Sequence, residues 1–305
     1  MIYRVHHRTT YAYDAPVAFT QCVLRLTPQS SARQTVLDHR VTVTPKPAQT
    51  QRRAGPFDES QTAIVVEAPH SKLVIDAASR VDVHAPSLRN PEESPAWEIV
   101  RDRAFETGAL GVASPATYLY PTVRTPIAAP ITDYARESFA AGRPVVAAAG
   151  ELMRRIRADF AYESGSTSIA TPSIEAFEAR HGVCQDFANI MIGALRGLGL
   201  PAAYVSGYLR TTPPPGKPRL EGADATHAWV QLWCGPSLGW IGLDPTNALF
   251  ALDDHIILAV GRDYGDVAPI EGVMLASGAQ TLKVEVDVKP EPEAAVLRPA
   301  FGASA

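Results

Sequence analysis

At 305 residues and 46% hydrophobic, the chain can bury a sizeable core and is long enough for two domains. Its net charge is −4 and no run of like charge exceeds a few residues, so composition gives no footprint for a nucleic-acid or anionic-membrane partner. No apolar stretch approaches the roughly 18 residues that a membrane helix requires, and three cysteines (Cys22, Cys184 and Cys234) are too few for a disulfide framework.

The N-terminal "MIYRVHHRTTYAYDAPV" has no apolar signal core and enters a strand directly. Together with the cysteine usage, this predicts a cytoplasmic protein. In "YRVHHRTTYAY", Tyr3, Val5, His7, Thr9, Tyr11 and Tyr13 alternate onto one face, the period of a half-buried strand. "CVLRL", "VLDHRVTVTP", "TAIVVEAP" and "KLVIDAASRVDVHAP" follow, most of them closed by proline or a polar turn. Residues 1–86 are therefore expected to form an N-terminal antiparallel β-sandwich or small barrel. Residues 87–143 turn Pro- and Ala-rich, with short helical pieces such as "PAWEIVRDRAF", and read as a connector.

"PVVAAAGELMRRIRADF" predicts a helix with Pro144 at its first position, where a missing N–H costs nothing. Phe160 to Thr171 is a polar Gly/Ser/Thr loop. "SIEAFEAR" predicts a short helix capped by Ser173. "HGVCQDF" then leads into a segment where Phe187, Ile190, Met191, Ala194, Leu195 and Leu198 make one apolar stripe at helical period, ended by Gly197, Gly199 and Pro201. "AAYVSGYL", "THAWVQLWC" and "GWIGLDPT" read as strands, with a long proline-rich loop, 210–224, before the second. "QTLKVEVDVKP" alternates as a last strand, which completes a core spanning 144–290. Residues 291–305, rich in Ala, Pro and Glu, have the composition of a disordered tail. There is no internal repeat.

Cys184 lies in the first turn of its helix, where unpaired N–H groups and the helix dipole favour an anion and hence the reactive thiolate. His227 shares a strand face with Trp229, Gln231 and Trp233; Asp244 shares one with Trp240 and Gly242. A hairpin turning at "CGPSLG" with Cys234 opposite Ser237 also sets His227 opposite Asp244, about 5 Å apart at Cβ. The three groups then form a nucleophile, a base and an acid that orients the base. The Cys184 backbone N–H is a ready oxyanion donor; Tyr162 or Gln185 is the candidate for a second.

Three motifs in this order, "HGVCQDFANIMIGALRGLGLPAAYVSGYL", "DATHAWVQLW" and "GWIGLDPTN", resemble the transglutaminase-like superfamily, with its papain-like Cys-His-Asp core. "YRVHHRTTYAYDAPV" is similar to the β-domain that precedes this core in a bacterial branch, and "HIILAVGRDYGDVAPIEGV" also matches that branch. The resemblance implies Cys184 as nucleophile, His227 as base and Asp244 as orienting acid. It further implies an α+β fold in which the Cys helix packs on an antiparallel sheet. Two positions depart from the branch pattern: Asn189 where His is usual, and Ala203 where Arg is usual. The calcium requirement of animal members is not carried over, because no dense acidic loop is present.

Blander readings stand beside these. Cys234 and Cys22 read as core, and His181 as a turn residue. Trp229 and Trp240 read first as core and otherwise as walls of a narrow acyl site. Asp186 and Asp224 read as helix-cap and loop residues, or as support for the catalytic groups. Gly182 and Gly207 either make turns or let the backbone approach the site closely.

The expected function is a cysteine-dependent amide hydrolase or acyl-transferase, of peptidase, amidase or isopeptidase type. It would act through an acyl-thioester on a peptide, protein or small amide, without cofactor or metal. The alternatives are a non-catalytic scaffold of the same fold, a protein-crosslinking transglutaminase, and a zinc site using Cys184, His181 and His227. The last lacks any CxxC or HxxxH spacing.

Overall fold

A computed structural model describes residues 1–84, 87, 90–106, 108–211, 225–275 and 278–291. The call for a disordered tail falls almost wholly outside the described residues, as do Asp224 and nearly all of the proline-rich loop.

The chain opens with six strands: β1 (Ile2–Val17), β2 (Phe19–Leu24), β3 (Gln34–Thr44), β4 (Gln49–Ala54), β5 (Ser60–Val66) and β6 (His70–Val83). Helices α1 (Trp97–Phe105), α2 (Ala129–Arg136) and α3 (Val145–Asp159) follow, then β7 (Ala161–Tyr162), α4 (Ser173–Ala179), β8 (His181–Gly182) and α5 (Cys184–Gly197). The remaining elements are β9 (Ala202–Leu209), β10 (Ala225–Trp233), β11 (Trp240–Asp244), β12 (Leu249–Phe250), β13 (His255–Gly261), α6 (Tyr264–Val267), β14 (Ile270–Leu275) and β15 (Gln280–Pro290). No described helix is long and apolar enough to cross a membrane.

Two four-stranded antiparallel sheets, β15-β1-β6-β3 and β14-β2-β5-β4, make the N-terminal sandwich. Along β1 the alternation holds: Tyr3, Val5, His7, Thr9 and Tyr13 are buried, and only Tyr11 on that face is half-exposed. Tyr13, Val17, Cys22, Leu24, Ile64, Val66, Leu73 and Ile75 fill the space between the sheets. β4 was not expected from sequence, since "QTQRRA" has no apolar alternation. It is an exposed edge strand held by its backbone ladder to β5.

The last two strands pair outside the core sheet. β15, expected to complete the core, hydrogen-bonds to β1, and β14, for which the sequence predicts no strand, hydrogen-bonds to β2; both complete the sandwich. Chain order carries no signal for such a return, because strand pairing is non-local.

The second unit is a five-stranded sheet of order β12-β11-β10-β9-β13. Its helix-facing side chains, among them Ala202, Tyr204, Ala228, Val230, Leu232 and Leu243, pack with α2, α3 and α5 in one large core. α5 is buried all round rather than along one stripe: Ala188, Asn189, Ile192 and Arg196 are buried as well as the predicted apolar face. Two helix starts differ from expectation by one residue. Pro144 and Pro172 are the extended N-cap residues of α3 and α4. Ser173 is the first helical residue of α4, and its buried hydroxyl caps nothing.

The sandwich and the sheet share a third core, in which Tyr3, Val5, Val81, Val83, Val286 and Val288 meet Tyr208, Ile256 and Leu258. His7 sits at this seam with a ring nitrogen 3.0 Å from the Tyr208 hydroxyl and the other 2.8 Å from Thr9 Oγ1. Burial pushes its pKa down to about 4, so it is a neutral hydrogen-bonding residue at the seam.

Arg196, near the C-terminus of α5, is 2% exposed and has no carboxylate at hydrogen-bond distance among the described residues. Its guanidinium donates to the carbonyls of Tyr118, Ala202 and Arg262 and to Thr125 Oγ1, at 2.6–3.1 Å. Burial lowers its pKa to about 10, which still leaves it charged at neutral pH. One side chain thus ties α5 to the connector, to the start of β9 and to the end of β13. Replacing it by Met strands those acceptors, so Arg196→Met is expected to lose about 3 kcal/mol. A urea unfolding midpoint equal to the parent's would contradict this account.

Candidate active site

The site is assembled where the start of α5 meets β10 and β11. α4 ends at Arg180, which takes a left-handed conformation (φ 57°) and lays its guanidinium over the Phe177, Phe160 and Tyr134 rings at 4.6, 4.8 and 5.5 Å. The next two residues pair in parallel with Ala161 and Tyr162. Val183 is then extended and the helix begins at Cys184. Asp186 fastens this start: its Oδ2 accepts from the Val183 N–H (2.8 Å) and from Thr167 Oγ1 (2.6 Å). A Cβ on Gly182 would fall 2.7 Å from that carboxylate oxygen, so the cap requires glycine there. Asp186 is therefore placed as a cap of the Cys helix. Cys184 is half-buried, in the first turn, and forms no disulfide.

The His227 ring is 8% exposed and its Nε2 lies 2.9 Å from Asp244 Oδ2. The hairpin register differs from the expected one. Trp233 pairs with Trp240 and Val230 with Leu243, a shift of two residues, because the turn closes through Cys234 N–H to Gly239 O and Gly239 N–H to Gly235 O. Both glycines have positive φ, 95° and 63°. A shift of two preserves the side-chain faces, so His227 and Asp244 meet diagonally instead of directly opposite.

Asp244 is wholly buried and accepts from five donors. Oδ1 takes the backbone N–H groups of Thr246 (3.0 Å) and Asn247 (3.2 Å), the turn that leads into β12. Oδ2 takes His227 Nε2, Asn247 Nδ2 (2.8 Å) and His255 Nε2 (3.2 Å). Burial alone would raise the Asp244 pKa; the hydrogen bonds from His227, His255 and Asn247 and the His227 charge outweigh it and hold the carboxylate well below its usual range. Burial likewise opposes charge on His227. Hydrogen bonding and charge from Asp244 and Cys184 override it and raise the pKa to about 10. With Nε2 on Asp244, Nδ1 is the nitrogen left for the hydrogen bond with the Cys184 thiol that contributes to this rise.

His227, Asp244 and His255 form one tight group of metal-ligating residue types. The two histidines each contact Oδ2 at hydrogen-bond distance, so the three satisfy one another through N–H groups, and no ion is required to explain their arrangement.

The other sequence-predicted residues fall out as follows. Trp229 is 1% exposed and stacks on His227 (6.1 Å, 25°), with its far edge on His255. It occupies the space over Gly207, where a Cβ would lie 2.5 Å from the indole and 2.1 Å from the Ile256 carbonyl. Trp240 lies elsewhere, edge-on to Tyr118 at 5.1 Å, and lines a cavity with Arg33, Leu238 and Phe250. Tyr162 is half-exposed beside Cys184, whose proximity adds to the effect of burial in raising the phenol pKa. Gln185 is half-buried in the first turn of α5. His181 pairs with Ala161, its Nδ1 3.9 Å from Glu163. Cys22 and Cys234 are buried core thiols, pushed up by burial, Cys22 to about 11. Of the two departures, Asn189 is 3% exposed with an unpaired Oδ1, and Ala203 packs against Phe57 and Tyr118. Sequence reasoning missed His255 and Asn247. Asn247 had a signal, since "DPTN" is a turn in which an amide three residues on reaches back to the aspartate.

Comparison with known proteins shows the family and the fold. Residues 3–82 match the bacterial transglutaminase-like N-terminal region, and residues 132–245 match the transglutaminase-like superfamily core. An uncharacterized protein of Mycobacterium tuberculosis is 40% identical over 296 residues, covering 94% of this chain and 92% of that protein. The chain belongs to the transglutaminase-like superfamily. A Mycobacterium leprae relative is 34% identical over 93% of this chain and 97% of its own. A protein-glutamine gamma-glutamyltransferase of Pseudomonas aeruginosa is 33% identical over 125 residues, 40% of this chain and 18% of that one. A solved structure from Cytophaga hutchinsonii, of a protein put forward as a cysteine protease, has the same fold. Its TM-score is 0.72 at 21% identity, over 96% of this chain and 92% of the other. The α+β class and the bacterial branch expected from sequence are those of this superfamily.

Two predictions follow from the geometry around His227. Its folded pKa of about 10 lies above the ordinary 6.5. The stability it contributes is therefore complete below about pH 6.5 and lost as pH rises from there to about 10. Urea midpoints across that window should fall in the parent, and His227→Gln should remove that component of the slope. Gly207→Ala drives a methyl into the indole and the Ile256 carbonyl, and should cost about 2 kcal/mol by the same measurement.

Proposed function

We propose that the protein is a cysteine-dependent amide hydrolase or acyl-transferase working through a Cys184–His227–Asp244 triad. The observation that carries this reading is the buried, five-donor Asp244 carboxylate bonded to His227 Nε2, which leaves Nδ1 for the thiol at the start of α5.

In this mechanism His227 Nδ1 takes the Cys184 proton, and Asp244 fixes the tautomer and stabilises the imidazolium. The thiolate attacks the substrate carbonyl, forming the C–S bond as the carbonyl π pair moves to oxygen. The backbone N–H of Cys184, one of the orphan donors of the helix start, receives that oxyanion. Tyr162, half-exposed and close enough to Cys184 to feel its charge, is the stronger candidate for the second donor. On collapse the C–N bond breaks and the Nδ1 proton passes to the leaving amine. A water, or a second amine, then attacks the thioester with His227 again as base, and the thiol is restored.

The chemistry is the same up to the thioester, and the acceptor decides between hydrolysis and transfer. Similarity to a protein-glutamine gamma-glutamyltransferase supports transfer as the second reading. The absence of any calcium-binding pattern in the sequence gives no reason to import the animal crosslinking system, and hydrolysis is the reading we favour. Three unpaired thiols suit action in a reducing, cytoplasmic setting.

Incubation with an activated acyl ester should place one acyl group on Cys184, detectable as a mass adduct. Cys184→Ala should abolish both adduct and turnover, a loss of at least about a thousandfold. Turnover that survives Cys184→Ala would reject the proposal. Adding an alkylamine then separates the two outcomes, since only a transferase converts the adduct to an N-alkyl amide in preference to acid.

A further inference from the structure

We propose that His255 is a positioning residue for this site: an Nε2–H donor that shares Asp244 Oδ2 with His227 and so limits how tightly the carboxylate holds the His227 proton. The inference rests on the triad reading above and adds a fourth residue to it.

Three donors converge on one oxygen. His227 Nε2, Asn247 Nδ2 and His255 Nε2 lie 2.9, 2.8 and 3.2 Å from Asp244 Oδ2. The His255 side chain is 4% exposed, and its Nδ1 is shut from solvent without a hydrogen-bond partner. That asymmetry fixes the tautomer. With the proton on Nε2, the ring donates to the carboxylate and leaves only a lone pair unpaired. With it on Nδ1, two lone pairs would face each other across 3.2 Å and a buried N–H would lack an acceptor.

The surroundings hold the ring in this state. The Trp229 indole meets it edge-on at 5.1 Å. The ring also lines a small cavity with Arg33, Val83, Leu252 and Ile257. The titratable and charged groups around it are His227 from β10, Asp244 from β11, Arg33 ahead of β3, and Asp253 and Asp254 from its own loop. Asp253 is exposed, and Asp254 is taken by Arg210 at 2.7 Å and the Tyr3 hydroxyl at 3.1 Å. Asp244 is the one close anion, and its charge is already divided among five donors.

An oxygen that serves three donors binds each less strongly than one that serves two. Removing His255 therefore gives His227 a larger share of Asp244. The imidazolium then persists to higher pH and gives up its proton less readily to a leaving amine.

Two measurements on the full chain test this. Long-range nitrogen–proton NMR of the histidine-labelled protein should show the neutral form of His255 as the Nε2–H tautomer. This readout needs no activity, so it stands apart from the Cys184→Ala test of the triad. The Nδ1–H tautomer overturns the proposal. The second is the pH dependence of Cys184 alkylation by iodoacetate, a reagent that reports thiolate beside charged imidazole and requires no known substrate. His255→Leu should move the alkaline fall in rate upward by about half to one pH unit, the scale of one hydrogen bond. His255→Gln, whose Nε2–H can reach the same oxygen, should return it toward the parent. A folded Leu variant with the parent profile overturns the proposal, as does a Gln variant that behaves like a folded Leu variant. Should the Leu variant fail to fold, the NMR tautomer and the Gln profile, expected to match the parent, decide it.

Discussion

The structure around the site depends on keeping one carboxylate ionised with no solvent contact. Asp244 is 0% exposed, a placement that ordinarily drives a carboxyl to protonate. Five donors prevent this, and they come from different parts of the chain: a tight turn, its amide side chain, β10 and the start of β13. Asp244 therefore acts as a junction for the core sheet. The turn at Pro245–Ala248 can close only where its N–H groups find Oδ1. The His227 ring is then held by a partner that cannot itself rotate, which is the preorganisation that acid–base work demands.

Arg196 is the complementary case. It is a buried cation satisfied by neutral acceptors, as Asp244 is a buried anion that draws on neutral donors besides His227. The two charges do not pair with each other, and each organises its own end of the molecule. Arg196 fixes the C-terminal end of α5 to the connector and to β9. At the other end Asp186 and Thr167 fix the first turn. A helix held at both ends, and buried all round between them, cannot slide along the sheet. The position of Cys184 relative to His227 follows from those anchors.

The parts of this arrangement legible in the sequence are those with a local period. Alternation along β1 and the apolar spacing after Cys184 gave the right elements. The parity of His227 and Asp244 on their strands gave the right faces even with the hairpin register two residues off. That error came from assuming the shortest loop, whereas Gly235 and Gly239 permit a wider turn. What was not legible is non-local or unpatterned. β4 has no apolar alternation to detect, and β14 and β15 return to the N-terminal sandwich through pairings across the whole chain. His255 opens an apolar strand and would pass for a core residue. Its significance appears only when β13 is set beside β9, two strands away from Asp244 in the sheet order.

The sandwich reaches the site through that same edge. β13 is the last strand of the core sheet, and it presents Ile256 and Leu258 to Tyr3, Val5, Val81 and Val286 of the N-terminal unit. His255 stands at its head, and the residue before it, Asp254, accepts from Tyr3 of β1 and from Arg210. Packing on the sandwich thus fixes the strand whose first side chain contacts the buried carboxylate. A shift of β1 against β13 would move a hydrogen bond to Asp244 before it disturbed Cys184 or His227. This gives the N-terminal unit a physical role at the site although none of its described residues hydrogen-bonds to His227 or Asp244.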